Sequence, residues 1–346
     1  MKKIGVAVLG ATGMVGQRFI QLLINHPYFE IRGLMAQKEF VGKRYREVCN
    51  WIISEEIPSE VREISIKEAS PEAIADDNVE IVFSAVPAEA AKELEPRFAW
   101  AGYKVFSNAS AFRMEKDVPL LMAEVNPSHL ALIKEQREKR GWKGFIVTNP
   151  NCTTIVLTLV LKPLLDNFGI GRIVVSTMQA LSGAGYPGVA SLDILDNVLP
   201  YIKNEEEKVE EEPLKILDAN FKISVSCHRV AVIDGHLEDL HISFPQKVEV
   251  EKVKETLENF GSDFKRLPSS PEKLIIVREE SFRPQPRLDR MAGNGFSITV
   301  GRIREDRALE NGIKMNIFGH NTIRGAAGQS VLNAEYWVEN QRYSSM

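Results

Sequence analysis

Short apolar stretches alternate with segments of helical periodicity over the first half of the chain. Residues 15–25 place apolar side chains three to four positions apart, which predicts a helix with one buried face, and residues 88–101 are predicted as another helix. Apolar strands separated by helices are typical of a parallel sheet with right-handed crossovers, so we predict a doubly wound α/β fold. The predicted strands span residues 3–10, 30–36, 79–86, 103–108 and 144–149.

The pattern changes after residue 152. Residues 153–168 form a long apolar segment that predicts a buried helix. Later stretches alternate polar and apolar side chains, which predicts a mainly antiparallel or mixed sheet with one covered face, in an α+β domain. These alternating stretches are residues 173–179, 222–232 and 236–244.

A domain boundary is expected near residue 150, where the two patterns meet. It gives a first domain over residues 1–150 and a second domain over residues 151–320. Residues 321–341 are predicted as a final helix that opens with the small side chains of residues 325–328.

The overall composition excludes several classes of protein. Lys and Arg number 43 and Asp and Glu number 47 among 346 residues, so a net charge of −4 argues against a main role in binding nucleic acid or anionic lipid. The longest uncharged run, residues 173–192, carries polar residues and Pro throughout, so no membrane span is expected. The start of the chain lacks the pattern of an export signal.

Three scattered cysteines, Cys49, Cys152 and Cys227, predict neither a disulfide framework nor a structural metal site. Their scatter, together with the absence of an export signal, favours a reducing, cytoplasmic setting. Cys227 shares a predicted strand face with apolar residues, so we expect it to be a packing residue.

A glycine-rich turn, GATGMVG at residues 10–16, separates the first predicted strand from the first predicted helix. Glycines at such a junction allow a tight turn and close approach to a pyrophosphate, so a Rossmann-type dinucleotide site is predicted; the alternative is a plain packing turn. Lys38, after the second strand, could bind the 2′-phosphate of NADP, whereas Glu39 could bind the ribose of NAD. We favour NADP.

Cys152 follows Asn149, Pro150 and Asn151 and precedes an apolar helix. Asn151 or Cys152 is expected at the helix N-cap, where the helix dipole and free N–H groups lower the pKa of a thiol. A nucleophilic cysteine near a nicotinamide indicates aldehyde or acyl chemistry through a thioester. The alternative is a small buried cysteine at a helix start.

Six segments of the chain together carry a resemblance: GATGMVG (10–16), FSNASAFRM (106–114), NPNCTT (149–154), QALSGAG (179–185), CHRVAVIDGH (227–236) and HNTIRGAAG (320–328). Together they resemble one family, aspartate-β-semialdehyde dehydrogenase in the form typical of archaea and fungi, and the resemblance runs nearly from end to end. It implies reduction of L-4-aspartyl phosphate by NADPH to L-aspartate 4-semialdehyde, with release of phosphate, on the route to lysine, threonine and methionine.

The resemblance also implies roles for single residues. Cys152 would be the nucleophile, His236 the general acid and base, and Gln179 the residue that positions the acyl group. An imidazole with that role should have a working pKa near neutrality. The substrate-binding residues would be Arg113, Asn151, Glu205, Lys208 and Arg229. The cofactor-binding residues would be Gly10, Thr12, Gly13, Met14, Val15, Gln37, Lys38, Ser84, Ser182, Gly183 and Asn321.

The same resemblance implies a homodimer or homotetramer and a C-terminal helix, 321–346, that packs back onto the first domain. Two other interpretations stay open for parts of the site: Arg113 as a structural ion-pair partner, and the acidic run 205–212 as a solvated helix face.

Two other functions remain in view. A malonyl-CoA reductase would use the same scaffold and the same cysteine to reduce a thioester. A regulator that binds NADP without catalysis would keep the glycine turn, but the joint presence of Cys152, Gln179, Arg229 and His236 argues against it.

Overall fold

Two β-sheets organise the protein in a computed structural model, which describes residues 2–53, 56–261 and 267–344. The chain divides into two units. The first comprises Met1–Ala123, Pro127–Pro150 and Ala326–Met346, and the second comprises Glu124–Asn126 and Asn151–Gly325. Cys152 therefore lies at the start of the long segment that builds the second unit.

The first unit contains a five-stranded sheet in the order β2-β1-β3-β4-β5, in which every pairing is parallel. The predicted doubly wound α/β class is thereby confirmed. The strands are β1 (Ile4–Leu9), β2 (Phe29–Met35), β3 (Val79–Ser84), β4 (Lys104–Ser107) and β5 (Phe145–Thr148). Helices in this part of the chain are α1 (Met14–Leu23), α2 (Tyr45–Val48), α3 (Ser59–Arg62), α4 (Ala88–Ala101) and α5 (Leu132–Arg140).

Both faces of this sheet are buried at β1, which explains why the sequence of β1 is apolar throughout rather than alternating. In β1, Val6 and Val8 belong to one apolar cluster, whereas Ala7 and Leu9 belong to another on the opposite face. The strand order reverses at β1 and β3, and ligands of open α/β sheets bind beyond the carboxyl ends of the strands at such a point.

The second unit contains a six-stranded sheet in the order β7-β6-β8-β11-β10-β9. It is mixed, because β6 pairs with β7 and β9 with β10 in parallel, while the other pairs are antiparallel. The strands are β6 (Arg172–Gln179), β7 (Lys222–Arg229), β8 (His236–Ser243), β9 (Ile275–Arg278), β10 (Ile298–Asp306) and β11 (Gly312–Gly319). The helices are α6 (Cys152–Phe168), α7 (Ser191–Ile194), α8 (Glu205–Leu217), α9 (Val250–Glu258) and α10 (Pro286–Asp289).

One face of the second sheet is covered by helices. Alternate residues of β8 are buried, starting with His236, and α6, α8 and α9 contact the strands on this unit's covered side. The first residue of β8 therefore points its side chain into the layer between helices and sheet.

The final helix begins later than expected. Ile323–Ala327 form a π-helical turn, and α11 (Gly328–Ser344) follows it, so the α-helix predicted from residue 321 starts at Gly328 instead. Within the first unit, α11 contacts α1 and β4, with Val331 and Trp337 in the apolar cluster. The last two residues of the expected helix, 345 and 346, lie outside the described residues.

Across the residues that the structure describes, no helix has both the length and the apolar composition to cross a membrane.

Candidate active site

Cys152 is the first residue of α6, and Asn151 caps that helix. The Asn151 side-chain oxygen accepts hydrogen bonds from the backbone N–H groups of Thr153 and Thr154, at 2.9 and 3.3 Å. The predicted position at the N-cap is thus confirmed. The half-buried thiol lies where the helix dipole favours a negative charge.

His236 is the histidine in contact with this thiol. Its Nε2 lies 3.1 Å from Cys152 Sγ, and its Nδ1 accepts a hydrogen bond of 3.1 Å from the backbone N–H of Ala180. The ring is fully buried at the start of β8. A nucleophile and an imidazole at this separation are the arrangement expected for cysteine-dependent acyl chemistry.

The expectation of a near-neutral pKa for His236 is wrong for this arrangement. Burial, and after it the positive charge of Arg229, lowers the pKa of His236 to about 3, although Glu205 acts in the opposite direction. The imidazole is therefore neutral at pH 7. The sequence identifies the residue but not its burial, and burial is the larger cause of the shift.

Gln179 and Arg229 end two neighbouring strands, β6 and β7, and are paired in register. Arg229 Nη1 donates to the carbonyl oxygen of Ala180 at 2.7 Å, and burial lowers the pKa of its guanidinium, which stays charged at neutral pH. Gly183 packs against this group: a Cβ atom there would lie 2.7 Å from Arg229 Nη1 and 3.1 Å from His236 Cε1. The backbone reaches the two side chains only because residue 183 is a glycine.

Glu205, the first residue of α8, connects several members of the site. Its Oε1 accepts from Asn151 Nδ2 at 2.8 Å and from Gln179 Nε2 at 3.0 Å, and its Oε2 lies 3.4 Å from Lys208 Nζ. Burial raises the pKa of this carboxyl, but Lys208 and the two amide donors outweigh it, so the net pKa is lowered. Glu205 is a buried carboxylate with several partners.

The alternative of a solvated face for the acidic run 205–212 is wrong for most of its carboxylates. Glu206 accepts from Cys227 N at 2.9 Å and Glu210 from Val225 N at 3.0 Å, while Glu212 accepts from Asn151 N at 2.7 Å. Strand β7 is the edge of its sheet, so Glu206 and Glu210 satisfy N–H groups of β7 that have no neighbouring strand.

Asn321 links the loop at residue 182 to the residue before His236. Its Nδ2 donates to Ser182 Oγ at 2.8 Å, and its Oδ1 accepts from Gly235 N at 2.7 Å. Three of the predicted cofactor residues, Ser182, Gly183 and Asn321, thus lie beside the Cys152–His236 pair in the second unit.

The remaining predicted cofactor residues lie in the first unit. The turn from Gly10 to Val15 connects β1 to α1, Gly10 has a φ of +87°, and Ser84 ends β3 beside β1. Gly13 is the N-cap of α1, with no side-chain cap and no acidic residue in the first turn. The helix start can therefore bind an anion. The residues of this set are Gly10, Thr12, Gly13, Met14, Val15, Gln37, Lys38 and Ser84.

Gln37 and Lys38 follow β2, where the adenosine ribose of a bound dinucleotide is expected. Gln37 Oε1 accepts a hydrogen bond of 3.4 Å from Thr12 Oγ1 of the glycine turn. Lys38 and Glu39 both belong to a short 3₁₀ turn, Lys38–Phe40, so the structure leaves a cation and an acid side by side there.

Arg113 is buried in the first unit, where its Nη2 donates to the carbonyl oxygen of Asn108 at 2.9 Å. Glu95 of α4 lies nearby and accepts a hydrogen bond of 2.6 Å from Ser107 Oγ. Burial raises the pKa of Glu95 to about 7, against the opposing effects of that hydrogen bond and of Arg113. Glu95 was not singled out from the sequence, where nothing distinguishes it from an ordinary helix-surface glutamate.

Two further features of the second unit are not predicted from the sequence. The Ala180 backbone N–H contacts His236, and Glu238, two residues along β8, is fully buried with no hydrogen-bond partner among the described residues. In the described ranges, no group of three His, Cys, Asp or Glu side chains could hold a metal ion.

Comparisons with known proteins agree with this geometry. The family profile described as "Semialdehyde dehydrogenase, NAD binding domain" matches residues 5–133, and "Semialdehyde dehydrogenase, dimerisation domain" matches residues 161–324. Aspartate-semialdehyde dehydrogenase of Archaeoglobus fulgidus is 56% identical over 345 residues, covering 97% of this chain and 98% of that protein.

Two more matches extend the comparison. Malonyl CoA reductase (NADP) of Metallosphaera sedula is 41% identical over 348 residues, covering 96% of each protein. The crystal structure of aspartate semialdehyde dehydrogenase with NADP from Candida albicans superimposes with a TM-score of 0.86 at 40% identity, covering 97% of this chain and 98% of that one.

Proposed function

The chain belongs to the semialdehyde dehydrogenase family, and we propose that it acts as an aspartate-semialdehyde dehydrogenase. It reduces L-4-aspartyl phosphate with NADPH to L-aspartate 4-semialdehyde and phosphate, on the route to lysine, threonine and methionine. The observation that carries this proposal is the 3.1 Å contact between Cys152 Sγ and His236 Nε2 at the start of a capped helix. The 56% identity to an aspartate-semialdehyde dehydrogenase, against 41% to a malonyl-CoA reductase, favours this substrate.

Cys152 performs the covalent chemistry. Its sulfur attacks the acyl carbon of the substrate, the bond from that carbon to the phosphate oxygen breaks, and a thioester remains. NADPH, when bound, supplies the hydride that reduces the thioester carbon. The carbon–sulfur bond then breaks, the aldehyde leaves and the thiolate is restored. The one proton taken up overall ends on the phosphate.

The charged residues of the second unit suit the polar ends of an aspartyl group. Arg229 presents a planar guanidinium for the α-carboxylate, and Glu205 presents a buried carboxylate for the α-ammonium. Gln179 is held by Glu205 at 3.0 Å and positions the acyl group. Lys208 and Arg113 are assigned to the phosphate, and Asn151 supports the site through its bond to Glu205.

The first unit fits a dinucleotide. The start of α1 has no side-chain cap and no acid, so its N–H groups suit a pyrophosphate, and Gly10 allows the turn before it.

Lys38 is assigned to the 2′-phosphate of NADP. Replacing Lys38 by Met should raise the KM for NADPH by about tenfold and leave the KM for NADH nearly unchanged, whereas Glu39→Gln, the neighbouring control, should affect NADPH little. Equal effects on both cofactors would argue against this role for Lys38.

A homodimer and a cytoplasmic location complete the proposal. The match of residues 161–324 to a dimerisation domain supports a dimer, and the same unit exposes several large apolar side chains. A tetramer built from two such dimers is the alternative. A reducing compartment is proposed because the reaction needs Cys152 as a free thiol.

A coupled pair of assays tests the function. Purified protein receives NADP⁺, L-aspartate 4-semialdehyde and phosphate in one cuvette, and NADPH with malonyl-CoA in another. We expect phosphate-dependent NADPH formation in the first and little NADPH loss in the second. Cys152→Ala is the control, and it should abolish turnover while still binding NADPH. Activity with malonyl-CoA alone would instead assign the chain to the reductase function, and silence in both would favour the non-catalytic regulator.

A further inference from the structure

The side-chain amide of Gln179 is hydrogen-bonded at both of its ends. Gln179 Nε2 donates to Glu205 Oε1 at 3.0 Å, and Gln179 Oε1 accepts from Thr177 Oγ1 at 3.2 Å. Thr177 and Gln179 lie two residues apart on the buried face of β6, and Glu205 is buried as well. A single hydrogen bond would let a planar amide turn about it, whereas bonds at opposite ends hold the plane in place.

The chemistry of the two partners decides which end of the amide faces which partner. Burial raises the pKa of Glu205, but its partners outweigh burial and lower the pKa overall, so at neutral pH this carboxylate can only accept. The Nε2 group of Gln179 must therefore face Glu205. The carbonyl oxygen of Gln179 can also only accept, so the Thr177 hydroxyl is the donor to it.

Cys227 of β7 shows that the Thr177 hydroxyl is free to make this bond. Cys227 is paired in register with Thr177, and the two side chains are hydrogen-bonded. This bond by itself favours a thiolate, but burial outweighs it and raises the pKa of Cys227 to about 12. The thiol therefore keeps its proton at neutral pH and can donate to the Thr177 oxygen, while the hydroxyl proton goes to Gln179.

The neighbour of Thr177 on the other side is Glu238 of β8. The Glu238 carboxyl has no hydrogen-bond partner among the described residues, so it does not compete for the Thr177 hydroxyl. The bonds thus run in one direction, from the Cys227 thiol through Thr177 to the carbonyl end of Gln179, and from the amino end of Gln179 to Glu205.

We propose that Thr177 is a positioning residue whose hydroxyl holds the Gln179 amide so that one Nε2 hydrogen is directed to the acyl oxygen of the substrate. Glu205 takes one of the two Nε2 hydrogens, and the other has no acceptor in the described part of the chain. A fixed donor at the acyl oxygen stabilises the negative charge that develops there when Cys152 attacks. The inference rests on the proposed function, which assigns the acyl group to Gln179.

Substitutions of Thr177 test this role in the phosphate-dependent assay. Thr177→Val removes the hydroxyl and keeps the branched shape, and we expect kcat to fall about tenfold while the KM for NADP⁺ stays within about twofold. Thr177→Ala should show the same loss. Thr177→Ser keeps the hydroxyl and should restore kcat to within about threefold of the wild type.

Thr299→Val is the matched control. Thr299 is a fully buried strand residue of β10, and its hydroxyl has no hydrogen-bond partner within the described ranges. The variant should keep the kcat of the wild type. Full activity of Thr177→Val would overturn the proposal, and so would a Thr177→Ser variant as impaired as Thr177→Val, because packing rather than the hydroxyl would then be the cause.

NMR of the side-chain amide measures the hold on Gln179 without substrate or cofactor. The full-length protein is labelled with nitrogen-15 at glutamine, and comparison with Gln179→Met identifies the NH₂ signals of residue 179. We expect these hydrogens to exchange with solvent about fivefold or more faster in Thr177→Val, and at the wild-type rate in Thr177→Ser and Thr299→Val. An unchanged rate in Thr177→Val would contradict the proposed cause.

The two measurements separate this inference from the proposed function. A wild-type protein that is inactive toward L-aspartate 4-semialdehyde, but whose Gln179 exchange depends on the Thr177 hydroxyl, would remove the function and leave the fixed amide standing. An active enzyme whose kcat and exchange rate are both indifferent to the hydroxyl would do the reverse.

Discussion

The thiols of the three cysteines lie in three different surroundings. Cys227 is fully buried on β7, and burial raises its pKa to about 12. Burial also raises the pKa of Cys49, although its hydrogen bond with Tyr45 acts in the opposite direction. Cys152 instead lies half-buried at a helix start beside His236 and Arg229. Since the thiolate is the reacting form, these surroundings should separate the three residues by reactivity.

We therefore predict that iodoacetamide at neutral pH alkylates Cys152 about tenfold or more faster than Cys49, and that Cys227 stays unmodified in the native protein. Mass spectrometry of the digested protein at increasing times measures the three rates. Cys152→Ala provides the control for the assignment. Equal rates for Cys152 and Cys49 would count against a catalytic thiol and favour the regulator.

Burial also changes the pKa of Glu238, with a consequence for stability. Its carboxyl is fully buried without a hydrogen-bond partner among the described residues, and burial raises its pKa well above 4.5. The folded protein thus keeps a proton that the unfolded chain loses above about pH 4.5. Below about pH 4.5 this carboxyl is protonated in both states and does not lower the free energy of unfolding. As the pH rises from there to the pKa of the folded state, the free energy of unfolding falls by about 1.4 kcal/mol per pH unit.

Glu238→Gln removes the titration and keeps the shape of the protonated side chain. We expect the variant to match the wild type in free energy of unfolding near pH 4.5 and to exceed it at pH 8, because the wild type alone loses stability over this interval. Urea denaturation at both values of pH measures the difference, and Glu207→Gln on the exposed side of α8 is the control. A less stable variant at pH 8 would show that the carboxylate has a favourable partner there.

Motifs identified Cys152, His236, Gln179 and Arg229, because catalytic chemistry demands particular side chains in a particular order along the chain. No sequence motif marks the contact of His236 with the backbone N–H of residue 180, since every residue except proline has that group. It arises only when β6 and β8 pair. The state of protonation of the site therefore lay beyond prediction from the sequence, although the residues did not.

At the scale of elements, α8 supplies hydrogen bonds to an edge strand. Glu206 and Glu210 lie one turn apart on the helix and accept from alternate N–H groups of β7, those of Cys227 and Val225. Strand residues i and i+2 expose their N–H groups on the same edge, so a helical spacing of four matches a strand spacing of two. The acidic composition of α8 thus has a structural cause beside the site residues Glu205 and Lys208.

Alanine at Glu206 or at Glu210 should cost about 1 kcal/mol in free energy of unfolding, since each change leaves a strand N–H without its acceptor. Alanine has the highest helix propensity, so a loss of helix propensity could not explain the cost. Glu207→Ala and Glu211→Ala, at exposed positions of the same helix, are matched controls and should stay within about 0.5 kcal/mol of the wild type. Chemical denaturation compares the four variants. The same loss in all four would indicate a general effect of charge.

The elements differ in how far their pattern could be predicted. Strands of the first sheet were identified because they are short, apolar and regularly separated by helices. In the second sheet, β9, β10 and β11 were missed, although β11 alternates with Ile313, Met315 and Ile317 buried. The four residues of β9, paired in parallel with β10, have no alternation from which to predict them. The π-helical turn before α11 was also missed, because small residues permit an α-helix there equally well.

At the scale of the whole molecule, the second unit exposes large apolar side chains that we expect a partner to bury. The segment 186–201 carries Tyr186, Leu192, Leu195, Val198 and Tyr201, and Leu192 is 89% exposed. Exposed apolar side chains concentrated in one segment mark an interface, and the family profile that matches residues 161–324 is described as a dimerisation domain. The proposed partner is a second copy of the same chain, because a symmetric dimer pairs a patch with itself.

The double variant Leu192→Glu with Leu195→Glu should convert the proposed dimer into a monomer, because two-fold symmetry would place four added carboxylates in one apolar interface, and buried unpaired charges are costly. Size-exclusion chromatography with light scattering at several protein concentrations measures the mass. Trp100→Glu, at a position of the first unit that is 67% exposed, is the control and should leave the mass unchanged. A variant that remains dimeric would place the interface elsewhere on the chain. A variant that becomes monomeric and retains phosphate-dependent activity would show that the residues around Cys152 form a complete site within one chain.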